Sequence, residues 1–368
     1  MAALDNTMLW IRNVEGAASA VRSHVVEAEL GAELQIPGLL DYADGAVLCG
    51  PSTFVPDGNG LYKYVLRLRV PWSEAEQGEN PDEPLARGTR KGYLFREGPV
   101  GELVALFSLC LQARLFVLST SLRGLSHRDL PIKTEFTPLR ARIGRQVDPV
   151  LFAQSDRNLC TSLRPFLEEI RSLPPKHHLE VAIAANHYAC ALREIGIDEE
   201  MVFVRLVSAI ERVATEQAIP DDPLSGRHLE EFIRVDILAT EQVEELRTML
   251  QRRRTKSRFI AFLGEHSAGF FDSEPKEPTH TQVTPGTLAA VAGAIYNARS
   301  GYLHNGDPMY LSRMTQFPDW HMDPSFGMIW QGRSFTVEQK LPRVDFFHRL
   351  VRHCLLARMR KLINASAG

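Results

Sequence analysis

The chain has 368 residues, enough for two domains that each bury a core of their own. A hydrophobic share of 44% and a charged share of 24%, with no apolar run near the ~20 residues needed to cross a bilayer, exclude a membrane-spanning helical protein. A formal charge of −3 excludes a surface that attracts nucleic acid everywhere, so any such binding is local. The five cysteines (Cys49, Cys110, Cys160, Cys190 and Cys354) form no CxxC and no zinc or disulfide spacing. The opening residues carry acidic side chains and no uninterrupted apolar stretch, so no secretory signal is read and a reduced, cytoplasmic setting is expected.

Along the chain, residues 1–150 read as a mixed α and β domain. DGAVLCG (44–50) and LYKYVLRLRVPW (61–72) have strand character, the second alternating Tyr62, Tyr64, Leu66, Leu68 and Val70 on one face. Pro56-Asp57-Gly58-Asn59-Gly60 supplies a turn, and 73–92 is a loop rich in Glu, Pro, Asp and Gly. From Gly98 a helical stripe of Val100, Leu103, Val104, Phe107 and Leu111 begins. No phosphate-binding loop is present, since Asp57-Gly58-Asn59-Gly60 lacks the helix and Lys-Ser/Thr that should follow.

Residues 151–175 read as a linker ending in Pro174-Pro175, and 176–368 as an all-α bundle. Its expected helices run from His178 to Ile195; from Asp198 with Phe203, Leu206, Val207, Ile210 and Val213 inward; from Leu229 to Leu263; from Thr284 to His304; and over 341–363. The fourth has Pro285 in its first turn, Leu288, Val291, Ala292, Ile295 and Leu303 inward, and Asn305-Gly306 as its stop. The fifth turns Phe346, Phe347, Leu350, Val351, Leu355 and Met359 inward. Segments 269–285 and 307–339 read as loops. Basic side chains gather at Arg252, Arg253, Arg254, Lys256 and Arg258, and again in the last helix, where Arg343 and Arg352 belong to a run of cations.

The string AAVAGAIYNARSGYLHNG (289–306) resembles the signature helix of the HEPN superfamily (higher eukaryote and prokaryote nucleotide-binding), most closely its Apea-like branch. Tyr296 and Arg299 match the front of the pattern and His304 its end, with Asn305 intruding before Gly306 and Ser300 standing where many active members carry Asn, Asp or His. VRLVSAIERV (204–213), with Glu211, resembles the Glu-containing second helix of that branch, and 341–362 its closing helix. The family motif is Arg, four to six residues, then His, and permitted spacings also occur at Arg171 with His177 and His178, and at Arg343 with His348; the helical context selects Arg299 and His304.

The resemblance implies a metal-independent endoribonuclease, a toxin or antiviral defence effector, acting as a homodimer whose two protomers line one cleft with Arg299 and His304. Such cleavage needs a base for the 2′-OH, an acid for the departing 5′-oxygen and a cation on the phosphate. A His serves either proton transfer near neutrality, and the Arg fork fits two phosphate oxygens. Asn297, Ser300, Tyr302, Asn305 and Glu211 are then supporting residues. Arg252, Arg253, Arg254, Lys256, Arg258, Arg343 and Arg352 are then contacts to the RNA backbone. No metal or cofactor is implied, and the N-terminal domain is expected to sense a trigger or bind a regulatory protein. Two alternatives stay open. The chain can be a non-catalytic HEPN module that binds RNA or nucleotide or serves as a dimerising scaffold. Arg299 can also simply pair with a Glu of a neighbouring helix, with His304 favoured by the negative end of its own helix.

Overall fold

The alternation read in 61–72 belongs to an antiparallel five-stranded sheet in the computed structural model. The structure describes residues 7–19, 23–43, 46–58, 60–71, 98–123, 158–218, 254–272, 274, 282–309 and 341–367. The expected loop 73–92, most of the third helix (229–253) and nearly all of the excursion 307–339 lie outside them.

The elements begin with helix α1 (Leu9–Ser19), then strands β1 (Ser23–Ala32), β2 (Leu40–Tyr42), β3 (Val47–Pro51) and β4 (Tyr62–Pro71), helix α2 (Gly98–Leu111) and strand β5 (Leu115–Arg123). The sheet order is β2-β3-β4-β1-β5, so β1 lies between β4 and β5 and pairs antiparallel with both. Strand side chains alternate between faces. Val26, Ala28 and Leu30 therefore lie opposite Leu68, Leu66 and Tyr64 on the buried face. On the other face Arg67 meets Glu27 at 2.8 Å and Lys63 meets Glu29 at 2.7 Å.

Helix α2 is buried on all sides, not along the single stripe expected. The reason is its position, with α1, β5 and helix α4 (Pro175–Glu194) all packed against it. The helix carries a carboxylate into that core. Glu102 is fully buried, and its Oε2 accepts the Trp10 backbone N–H at 2.7 Å, so it caps the free end of α1 from another element. Burial pushes the Glu102 carboxyl up to about 8 against the pull of the Trp10 and Leu9 N–H groups and of Arg12.

The stretch expected as a linker differs from that reading. A π-helical turn (Leu159–Leu163), capped by the Asn158 side chain, runs into α3 (Arg164–Arg171). Leu163, Leu167 and Ile170 are fully buried, which makes 158–173 part of a core and not a tether. His177 and His178 are likewise core residues; His178 Nδ1 accepts from Met8 N at 3.5 Å.

The later elements are helical: α5 (Glu199–Val213), a helical segment over 254–266 (α6), α7 (Pro285–Asn305) and α8 (Val344–Ala367). The chain is thus mixed sheet and helix in its N-terminal part and mostly helical in its C-terminal part. By packing it divides into one unit of Met1–Arg205 with Arg358–Gly368 and a second of Leu206–Ala357. Among the described residues no helix is long and apolar enough to cross a membrane.

Helix starts follow the sequence signals. The Asp198 carboxylate accepts from Met201 N at 2.9 Å at the start of α5. Thr284 and Thr287 cap each other's backbone at the start of α7, with Pro285 in its first turn. Leu288, Val291, Ala292 and Ile295 are buried as expected, but Leu303 is 45% exposed. The inner face of α7 ends before Leu303 is reached, because its last turn carries polar and small residues over to solvent.

Candidate functional site

Helix α7 carries the candidate residues, and its period decides where each points. His304 is five positions after Arg299, which in an α-helix is about 7.5 Å along the axis and about 140° around it. Arg299 continues the inner face of Leu288, Ala292 and Ile295, whereas His304 is exposed in the last turn on a stripe with Asn297 and Ser300. Gly306, at φ +72°, then closes the helix in the left-handed conformation that glycine adopts without strain.

The polar end of the inner face is built around Glu211, on the part of α5 that belongs to the second unit. Arg299 Nη2 donates to Glu211 Oε2 at 2.9 Å, and Tyr296 Oη donates to Glu211 Oε1 at 3.1 Å. The pair is largely sheltered, with side chains 17% and 19% exposed for Arg299 and Glu211. Arg299 Nε is buried and makes no hydrogen bond. The guanidinium carbon stands 6.0 Å from the centre of the Tyr296 ring, and the Phe259 ring lies 5.6 Å from it. Burial, then the Glu211 charge and hydrogen bond, push the Tyr296 phenol up to about 12, with Arg299 pulling against them. The phenol is therefore a fixed donor and no proton-transfer group near neutrality.

Of the supporting residues, Asn297 is reached from α6, where Lys256 Nζ donates to its Oδ1 at 2.9 Å. Gly293, one turn earlier, faces the Lys256 and Ile260 side chains, and a Cβ added there would meet both at ordinary van der Waals distance, so the contact does not depend on the glycine. Asn305 Nδ2 donates to Asp307 Oδ2 at 3.1 Å beyond the helix end. Ser300 and Tyr302 are half-buried.

The proposed backbone contacts separate. Arg254, Lys256 and Arg258 lie on α6 and are partly exposed; Arg252 and Arg253 fall outside the described residues. Arg352 is partly exposed on α8. Arg343 is not on a free surface: it is buried, with Nη2 3.4 Å from Asp345 Oδ2, because it begins α8 next to the apolar cluster around Phe346 and Phe347. Arg349, one of the cations of the same run, is engaged by Glu274 at 2.6 Å.

The sequence marked Tyr296 only as part of a pattern; its hold on Glu211 was readable in principle, since residues three apart on a helix share a side and both reach one carboxylate. The Lys256 link to Asn297 has no comparable signal, because it joins two helices 41 residues apart in the chain. No group of three or more His, Cys, Asp or Glu suited to a metal occurs among the described residues. Searches with the sequence against protein-family models and curated proteins, and with the fold against solved structures, return no match.

Proposed function

We propose that the C-terminal part of this chain is a HEPN-type ribonuclease module that cleaves RNA without a metal, working as a homodimer. The observation that carries the reading is the state of Arg299: a guanidinium paired with the Glu211 carboxylate, which the Tyr296 phenol also holds, about one and a half turns before an exposed imidazole on the same helix. A guanidinium at the site suits charge that develops on a phosphate, because its N–H fork matches two phosphate oxygens. An exposed His304 can exchange protons with an RNA 2′-OH or a departing 5′-oxygen. The two groups point to different sides of α7, so one protomer does not converge them on one atom; a two-fold axis bringing a second α7 alongside would supply the missing partner to each. Asn297, Ser300 and Lys256 would lie along the strand leading to His304.

The second reading is a non-catalytic module that binds RNA or nucleotide or holds a dimer together. It is favoured by the Arg299–Glu211 pair itself, which neutralises the cation within the fold. The separating experiment is incubation of the purified protein with total RNA and tRNA in EDTA, beside His304→Ala, with the new ends identified. Fragments ending in 2′,3′-cyclic phosphate that disappear in the variant are expected. Intact RNA with a folded wild-type dimer would instead establish the binding or scaffold role.

A further inference from the structure

We propose that Glu211 is a built-in competitor for phosphate at Arg299, so that the site is closed until RNA displaces the carboxylate. The inference rests on the RNA-directed reading above and adds regulation of that same site.

Carboxylate and phosphate present the same feature to a guanidinium: two oxygens in the spacing of its N–H fork. In this structure the Nη2 side of Arg299 is given to Glu211 Oε2 at 2.9 Å. The carboxylate is kept there by a second contact, since Tyr296 Oη donates to the other oxygen at 3.1 Å and so prevents it from turning away. Both partners are about four-fifths sheltered, which protects the pair from screening by salt. Arg299 Nε is buried without a hydrogen bond, so the carboxylate does not satisfy the fork completely. A phosphodiester offers the same two oxygens as Glu211, and the polyanionic strand it belongs to adds contacts elsewhere on the surface, so an RNA ligand can improve on the carboxylate. Lys256 of α6, which donates to Asn297 on the other side of α7 from Arg299, adds a cation to the surface that attracts an approaching strand.

The arrangement predicts that removing the negative charge of Glu211 strengthens RNA binding, a gain of function that a purely structural role would not produce. Gln keeps the size and one acceptor oxygen for Tyr296 or Arg299. The measurement is the affinity of full-length protein for a 2′-O-methyl oligoribonucleotide, which cannot be cleaved through its 2′ position, followed by fluorescence anisotropy in EDTA. Glu211→Gln should bind about five to tenfold more tightly, the scale of one ordinary net hydrogen bond. The gain should vanish in Glu211→Gln with Arg299→Ala, and should be absent from Glu216→Gln, an equal charge change on an exposed residue. Should Glu211→Gln fail to fold, Glu211→Asp, which keeps the charge but draws it back by one methylene, should show a smaller gain of the same sign.

Unchanged or weaker binding by a folded Glu211 variant, a gain that survives in the double variant, or no RNA binding by any form would each overturn the competitor. The same proteins assayed with unmodified RNA keep the two ideas apart. Tighter binding without cleavage by any form leaves the competitor standing and removes the ribonuclease. Cleavage that depends on His304, with Glu211→Gln binding more weakly, does the reverse.

Discussion

The two units each place a carboxylate among side chains that shield it from water, and put it to opposite use. In the first, Glu102 is fully buried and takes up backbone N–H groups of α1, so its whole effect is on the fold. In the second, Glu211 keeps an edge toward solvent and takes up two side chains, one of them a cation. Backbone donors cannot leave their helix, whereas a guanidinium on a flexible stem can change partners. The first arrangement is therefore fixed and the second is exchangeable, which is the difference expected between an anchor and a site.

The sharpest way to break that contrast is to empty the core beside the anchor, leaving the Trp10 backbone N–H in place. Trp10→Ala, which empties a fully buried ring position beside the Glu102 contact, should lower stability by about 3–5 kcal/mol in guanidinium titrations followed by circular dichroism. A loss below about 1 kcal/mol would mean that α1 is not held as described. Next in size, Arg299→Ala and His304→Ala should each reduce RNA cleavage by about 100-fold or more with unchanged circular dichroism. Equal activity in either variant would detach that residue from the chemistry.

Glu102 gives a pH test. Its carboxyl is raised in the fold to about 8 from an ordinary value of 4.5. The folded chain thus holds a proton that the unfolded chain gives up between those values. The stabilisation is complete below the unfolded value and is lost as pH rises through the folded one, by up to about 1.4 kcal/mol per pH unit. Glu102→Gln, which imitates the protonated form, should flatten that slope in stability measured from pH 5 to 8; an unaltered slope would place the proton elsewhere. Smallest, Thr284→Ala removes one side of the α7 capping box and should cost about 1 kcal/mol of thermal stability while RNA binding is retained.

The readable parts of the chain were those in which local chemistry decides the outcome. Asp198, Thr284 with Pro285, and Asn305-Gly306 mark helix ends through groups only a few residues apart, and 61–72 alternates strongly enough to stand as a strand. Strand β1 was missed because SHVVEAELGA sets Glu27 and Glu29 between small or moderate apolar residues; its burial depends on β4 and β5 on either side. The α3 region reads as linker in sequence because RPFLEEIR is short and charged on one side, so its apolar residues gain meaning only inside a core. Glu102 gave a faint sign, a lone acid in the apolar run GPVGELVALFSLCL, but its partner is 92 residues away. In the candidate site, the Glu211 and Arg299 pairing was open as one of two alternatives. The division of Arg299 and His304 between two sides of α7 follows from the helical period, and only the fold shows which of those sides is covered.

Helix α7 is closed at both ends, by the threonine box at Thr284 and by the left-handed Gly306, and this makes it a ruler with a fixed zero. Neither end can slip to absorb a change in length, so the angular offset between guanidinium and imidazole is written into the number of residues between them. One residue inserted after Gly301 would leave Arg299 with Glu211 and swing the imidazole by about 100° around the helix, toward a different neighbour.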